Sequence, residues 1–158
     1  MTASFPAVQV GGADDLPEVE HLLGAVGLTR DGLGACARDG LGACARDELL
    51  LVARADDGCL MGCGALELSG DAAFLRSLAV TGGARGHGLG SALVARALDR
   101  ARAAGAHDAW LLTETAGPFF AACGWETADR AAAPAGIAGS VEFTSACPSS
   151  VPAMRRAL

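Results

Sequence analysis

The chain has no lysine and no tyrosine among its 158 residues, and its aromatic content is five Phe and two Trp. Every one of the 12 basic side chains is therefore an arginine, against 18 acidic ones and a formal charge of -6. That balance, with no basic cluster, argues against a nucleic-acid surface. The missing lysine excludes a Walker A phosphate loop, which needs Gly-Lys-Ser or Gly-Lys-Thr. Long hydrophobic runs are also absent: the apolar half of the chain is mostly Ala, Gly and Val, and no stretch approaches the roughly 18 uninterrupted apolar residues of a membrane span. The start, MTASFPAVQV, lacks the basic flank of a signal peptide. The expectation is an acidic, cytoplasmic protein with neither membrane nor nucleic-acid partner. Its length suits one domain over residues 1–158. The six cysteines, Cys36, Cys44, Cys59, Cys63, Cys123 and Cys147, are too scattered for a disulfide scaffold and read as reduced thiols.

What is present is an alternation of strand and helix signals without a linker. AVQV reads as a strand. Asp14 and Asp15 can cap a helix over LPEVEHLLGAVG, where Leu16, Val19, Leu22, Leu23 and Val26 fall on one face. ELLLVARADDG and CLMGCGALEL read as a hairpin through a two-residue Asp57-Gly58 turn. Ser69-Gly70-Asp71 turns the chain into a third strand, AAFLRSLAV. The glycine-rich TGGARGHGLG then leads into the helix SALVARALDRARAAG, stopped by Gly105. AWLLT is a buried strand, GPFFAACG a short helix opened by Pro118, and VEFTSACPSSVPAMRRAL carries one or two further strands. The order predicts an α/β fold with a mixed, mostly antiparallel sheet flanked by helices.

Two glycine-rich segments compete for a phosphate-binding role. In RDGLGACARDGLGACARDE, an octapeptide occurs twice in succession over residues 30–47. Neither copy sits between a strand and a strong helix. Cys36 and Cys44 would be rotated about 80° apart on a helix, so they make no thiol clip, and four glycines disfavour a helix at about 1 kcal/mol each. The repeat reads as a loop or loose helix, a lengthened rim. In contrast, LAV-TGGA-RGHGLG-SALVARAL places Arg85, Gly86, His87, Gly88, Leu89, Gly90 and Ser91 where a strand ends and an amphipathic helix begins. Backbone N–H groups and the positive helix end converge there, so the site wants an anion. Arg85 can add a charge-assisted bond. Three antiparallel-looking strands upstream and no acidic ribose partner argue against a Rossmann unit. Metal binding is not expected: Cys59 and Cys63 would share a strand face, but no second ligand pair has matching spacing.

The run LRSLAV…RGHGLGSALVARAL resembles the acetyl-coenzyme A motif of the GNAT superfamily, Arg/Gln-x-x-Gly-x-Gly/Ala, matched here by Arg85, Gly88 and Gly90. WLLTETAGPFFAACGW resembles the strand and short helix that complete that site. The resemblance implies a central sheet splayed around acetyl-coenzyme A as cosubstrate. The backbones of Leu78, Ala79 and Val80 would meet the pantetheine, residues 85 to 91 the pyrophosphate, and Phe119 and Phe120 would form apolar walls. The later segments look like the acetyltransferase domain of N-acetylglutamate synthases, and more like small stand-alone acetyltransferases associated with arsenic resistance. Those relatives imply a small, amino-acid-like acceptor, such as a glutamate-like organoarsenical. Cys147-Pro148-Ser149-Ser150 stands where the synthases carry basic residues, which argues against glutamate itself. A homodimer through the C-terminal strands is in keeping with the resemblance.

The chemistry requires an amine to lose a proton, attack a thioester and expel a thiolate through an oxyanion. A backbone N–H at Leu78 or Ala79 would meet the oxyanion. Many family members carry a glutamate base where this chain has Arg76, so Glu67 and Glu114 are the remaining candidates, Glu114 the nearer to the splay. The family's usual acid is a tyrosine, and this chain has none; protonation of the thiolate falls to water or to Cys123. Arg76 reads equally as a clamp for a substrate carboxylate or as an outward-facing charge. Ser77, Thr113 and Ser149 complete the acceptor-side candidates. The missing tyrosine and the arginine at the glutamate position leave a second reading open, a catalytically silent acetyl-coenzyme A binder acting as a sensor.

Overall fold

In the computed structural model, residues 7–28, 47–138 and 150–158 are described. The octapeptide repeat, most of the stretch after residue 138, and with them Cys36, Cys44, Cys147 and Ser149, lie outside the described residues. The described strands form one seven-stranded sheet. They are β1 (Val8–Val10), β2 (Asp47–Arg54), β3 (Leu60–Ser69), β4 (Ala72–Val80), β5 (Asp108–Leu112), β6 (Glu126–Ala128) and β7 (Ala153–Ala157). Their spatial order is β1-β2-β3-β4-β5-β7-β6. All neighbours are antiparallel except β4 and β5. The sheet agrees with the mixed, mostly antiparallel expectation. β7 is paired on both sides, so β1 and β6 are the described sheet edges.

Alternation along β3 and β4 sorts side chains onto two faces. One face carries Leu66, Ala73 and Leu75 and is covered by α2 (Leu89–Ala103), which buries Leu89, Leu93, Val94, Ala97, Leu98 and Ala101. These positions recur every three to four residues, so they form one stripe. Close approach needs a glycine beneath the helix: a Cβ on Gly62 would lie 3.0 Å from Leu93 Cδ1 and 3.1 Å from the Ala79 carbonyl. The opposite face holds two separate apolar groups. Leu16, Val19, Leu22 and Leu23 of α1 (Leu16–Ala25) cover Cys63, Ala65 and Ala79. Farther along the sheet, Ile137 of a short helical turn packs with Ala72, Phe74, Trp110 and Ala153. After β5 in sequence, α3 (Gly117–Ala122) stacks Phe120 edge-on against Trp125, with ring centroids 5.9 Å apart.

Several details differ from the sequence expectation. The β2–β3 hairpin is not a two-residue turn, because Ala55 N–H donates to the Cys59 carbonyl and leaves Asp56, Asp57 and Gly58 in the loop. Gly58 takes a φ of 87°, and the Asp57 carboxylate accepts from Cys59 N–H at 2.9 Å, a side-chain turn that stabilises the longer loop. The glycine-loop helix starts at Leu89, earlier than Ser91, because Gly88 in the left-handed region (φ 85°) already serves as its N-cap. β6 and the turn Ala135–Ala138 carry no strong periodic signal. They are held by pairing with β7 and by Ile137. Cys59 lies outside β3 and is exposed, while Cys63 is buried, so the two thiols do not share a strand face. Among the described residues, no helix is long and apolar enough to cross a membrane.

Candidate active site

β4 and β5 are bonded only at Ala72–Phe74 against Asp108–Trp110. Beyond Phe74 the two strands separate, and a cleft of about 1030 Å³ opens between them. That lies at the upper end of ordinary ligand clefts, roomy for an extended ligand. Two local features accompany the separation. Leu111 and Leu112 pair with β7. In β4, Cys63 pairs with Ala79 and Ala65 with Arg76, so Ser77 and Leu78 together oppose the single Gly64. This is a β-bulge, and Ser77 has a φ of 58°, the one non-glycine positive value among the described residues. A bulge leaves backbone groups outside the ladder and re-aims them, here along the cleft wall.

The mouth of the cleft is the glycine loop. Gly86 and Gly88 both have φ values near +80°, at 80° and 85°, conformations that cost L-residues roughly 1–2 kcal/mol. The first bond of α2 runs from Ala92 N–H to the Gly88 carbonyl, 3.1 Å. The N–H groups of Leu89, Gly90 and Ser91 precede it and have no acceptor within the helix. Arg85 Nε donates to the Val80 carbonyl at 3.2 Å, which ties the guanidinium to the end of β4 beside those donors. Gly90 admits the neighbouring wall: a Cβ there would lie 3.3 Å from Phe119 Cζ. This is the arrangement an anionic, phosphate-bearing ligand requires.

The cleft wall includes Arg76, Ser77, Leu78, Ala79 and Val80 of β4, Arg85, Gly86, Gly88, Leu89, Gly90 and Ser91 of the loop and helix start, and Thr113, Glu114, Phe119 and Phe120 beyond β5. Three sequence candidates, His87, Glu67 and Cys123, are not on it. His87 is exposed on the outside of the loop, and Glu67 lies behind Arg76. Arg76 is not an outward charge but is 3% exposed. Its Nη1 reaches Glu67 Oε1 at 3.4 Å, and its Nε donates to Ser77 Oγ at 3.3 Å. Thr113 uses its hydroxyl to accept from Ala116 N–H at 3.0 Å, shaping the turn into α3. Glu114 is exposed at the cleft margin. Wall positions that sequence reasoning did not single out include Leu75, Leu111, Val151 and the segment Val26–Leu28. Their apolar character is indistinguishable in sequence from core packing.

Beside the cleft, the Cys63 thiol is pushed up to about 12 by burial and donates to the Ser77 carbonyl at 3.4 Å. It is a packing group that supports the bulge. At the far end of α1, Arg54 meets Asp15 at 2.7 Å and Glu18 at 3.1 Å. The Gly12 N–H, followed by Arg54, holds the Asp15 carboxyl below the usual carboxylate range. On the other side of α3, Arg156 Nη1 donates to the Cys123 carbonyl, a cation at a helix C-terminus.

Comparison with solved structures places this architecture. N-acetylglutamate synthase from Neisseria gonorrhoeae, complexed with coenzyme A and N-acetyl-glutamate, superposes with a TM-score of 0.78 at 23% identity, over 98% of this chain and 35% of the synthase. The chain thus spans about a third of that enzyme's length. Rv2747 from Mycobacterium tuberculosis, in complex with coenzyme A, gives 0.76 at 24% identity over 97% of this chain and 99% of its own. The PaiA N-acetyltransferase from Thermoplasma acidophilum, also with coenzyme A, gives 0.62 at 15% identity, over 96% and 99%. At these identities the likeness is one of fold. No curated protein sequence matches significantly. The family model for GNAT acetyltransferases does match, over residues 23–125, which takes in the splayed strands, the glycine loop, α2 and α3, and the chain belongs to the acetyltransferase (GNAT) family.

Proposed function

We propose that this chain, as one domain, is an acetyl-coenzyme A dependent N-acetyltransferase whose acceptor is a small, amino-acid-like amine. The observation that carries the reading is the splay of β4 from β5 with a glycine loop and a helix N-terminus at its mouth. The residues present fit the cosubstrate: Gly86 and Gly88 have the backbone shape, Gly90 leaves room beside Phe119, and the donors of Leu89, Gly90 and Ser91 with Arg85 suit a pyrophosphate. The backbones of Leu78, Ala79 and Val80 would meet the pantetheine, and Phe119 and Phe120 would exclude water from it. Structural neighbours that contain coenzyme A, one of them with an acetylated amino acid, support the cosubstrate and the acceptor class.

In this reading the bulge at Ser77 and Leu78 presents a backbone N–H to the thioester oxygen, where negative charge develops. Glu114 receives the proton of the attacking amine, directly or through one water. The new N–C bond forms to give the oxyanion, whose collapse breaks the C–S bond, and the leaving thiolate takes its proton from water, since Phe119 and Phe120 carry no acid and Cys123, the other candidate, does not line the cleft. Holding both substrates in one cleft supplies much of the rate by orientation. The test is release of free thiol from acetyl-coenzyme A across a panel of amines, with the acetylated product identified by mass. Tight binding of acetyl-coenzyme A without turnover on any amine would replace this reading with the silent binder, which the absence of tyrosine already favours as the second choice.

A further inference from the structure

The cleft is lined from both faces of the sheet, and its two sides are built differently. The glycine loop and the start of α2 form one side, whereas the side toward α1 draws on three other places: Val26 and Leu28 after α1, Leu112 at the end of β5, and Val151 before β7. Leu112 and Ala153 belong to the apolar group on the face opposite α2. The ladder between β5 and β7 continues through the bond from Thr113 N–H to the Pro152 carbonyl, 3.1 Å, so strand alternation puts Val151 on the side of Ala153. The Val151 carbonyl is held there by Arg130 Nη1 at 3.0 Å. The turn after α1 is fixed as firmly. Gly27 takes a φ of 77°, Leu28 N–H donates to the Leu23 carbonyl at 2.9 Å, and Gly27 N–H donates to the Gly24 carbonyl at 3.3 Å. These are the two bonds of a Schellman motif, which ordinarily packs its last residue back on the helix. Leu28 nevertheless remains 42% exposed. Among the described residues, the large apolar side chains left exposed are Val10, Leu28 and Phe119, and two of these three line the cleft. Phe119 lies beside Gly90 on the cosubstrate side; Leu28 is its counterpart on the other.

Resting on the reading above, we infer that the α1 side of the cleft seats an apolar side chain of the acceptor, and that Leu28 sets this specificity. The acceptor class is then an amino acid with an aliphatic or thioether side chain. Water leaves Val26, Leu28, Leu112 and Val151 when such a side chain enters, and the gain scales with the apolar area covered. A polar side chain of the same size covers that wall at the cost of its own hydration. Charge points the same way. Arg76 keeps its side chain without exposed surface against Glu67, so it adds no accessible cation to this wall, while Glu114 at the margin repels an acidic side chain. The backbone bonds of the Schellman turn place Leu28 before the ligand arrives, so little ordering is lost on binding.

The experiment measures kcat/KM for pairs of L-amino acids matched in shape, leucine against asparagine and methionine against glutamine, with aspartate and glutamate alongside. Wild type, Leu28→Ser and Val10→Ser are compared, and calorimetry follows acetyl-coenzyme A binding. Wild type should favour leucine and methionine about tenfold or more over their polar partners, the scale of one apolar side chain removed from water. Leu28→Ser should compress that ratio about threefold or more, mainly through KM, with acetyl-coenzyme A affinity within about twofold of wild type. Val10→Ser removes an equally exposed apolar group that does not line the cleft and should leave the ratio unchanged. Serine at an exposed position costs little stability, and urea denaturation checks that both variants fold. If Leu28 only closes the helix turn, its variant lowers stability and leaves the ratio intact, which overturns the inference. Equal turnover of apolar and polar amino acids by wild type, or a preference for aspartate or glutamate, overturns this inference alone, whereas no turnover on any amine overturns the function on which it rests.

Discussion

Gly88→Ala isolates the contribution of the glycine loop. Gly88 caps α2 at φ 85° and ψ 6°, and a Cβ in that left-handed conformation costs about 1–2 kcal/mol. The strain must appear in one of two places. If the loop keeps its shape, stability falls by that amount. If the loop relaxes to negative φ, stability is spared, but the N–H groups of Leu89, Gly90 and Ser91 turn away and the ligand must restore the strained form. Affinity then falls by up to the same 1–2 kcal/mol, roughly 5- to 30-fold in Kd. The sum of the two losses is fixed by the backbone requirement. Alanine also restricts the unfolded chain, a stabilisation of about 0.4–1 kcal/mol that would mask part of the effect. Gly83→Ala measures that offset, since Gly83 has no positive φ and its added Cβ meets nothing within 4 Å. Urea denaturation gives the first loss and calorimetric titration with acetyl-coenzyme A the second. A summed loss near zero, relative to Gly83→Ala, would refute the claim that this backbone shape is what binds the ligand.

Four further outcomes are expected. Phe120→Ala should cost about 3–5 kcal/mol in urea denaturation, because Phe120 is 5% exposed against Trp125. Phe119→Ala, at a position 36% exposed, should cost under about 1 kcal/mol while weakening acetyl-coenzyme A binding by loss of the wall. For Asp15, the folded carboxyl is held below its ordinary 3.8. Its stabilisation is therefore present above that value and lost as pH falls through the lowered one. Urea midpoints of wild type and Asp15→Asn should differ near pH 6 and converge as pH drops below the folded-state value. Iodoacetamide near neutral pH should label exposed Cys59 and spare Cys63, whose thiol is buried and shifted up to about 12; peptide mapping that finds Cys63 labelled in the native protein would contradict its placement.

Much of the fold is legible in the sequence because local chemistry and global packing agree there. The α1 stripe, the Asp57–Gly58 loop, Gly105, Pro118 and the alternation in β3 and β4 each carry their own signal. β6 does not: Glu126–Ala128 is three residues long and exists through pairing with β7, a contact no local pattern encodes. The site divides in the same way. Arg85, Gly86, Gly88 and Gly90 are readable because a phosphate-binding turn demands those residue types at that spacing. The bulge at Ser77 is not, because serine gives no sign of a positive φ. The burial of Arg76 against Glu67 is likewise a cross-strand relation, set by the register that runs from the Ser69–Ala72 end of the hairpin up to the bulge. A sequence reading can name both residues but cannot see that one holds the other.

The most direct test of the account is a crystal structure of the protein with coenzyme A. The account predicts the pyrophosphate on the N–H groups of Leu89, Gly90 and Ser91 beside Arg85, with the pantetheine running between β4 and β5 along Leu78 to Val80. A ligand seated elsewhere, with the glycine loop and the β4–β5 gap unengaged, would contradict it.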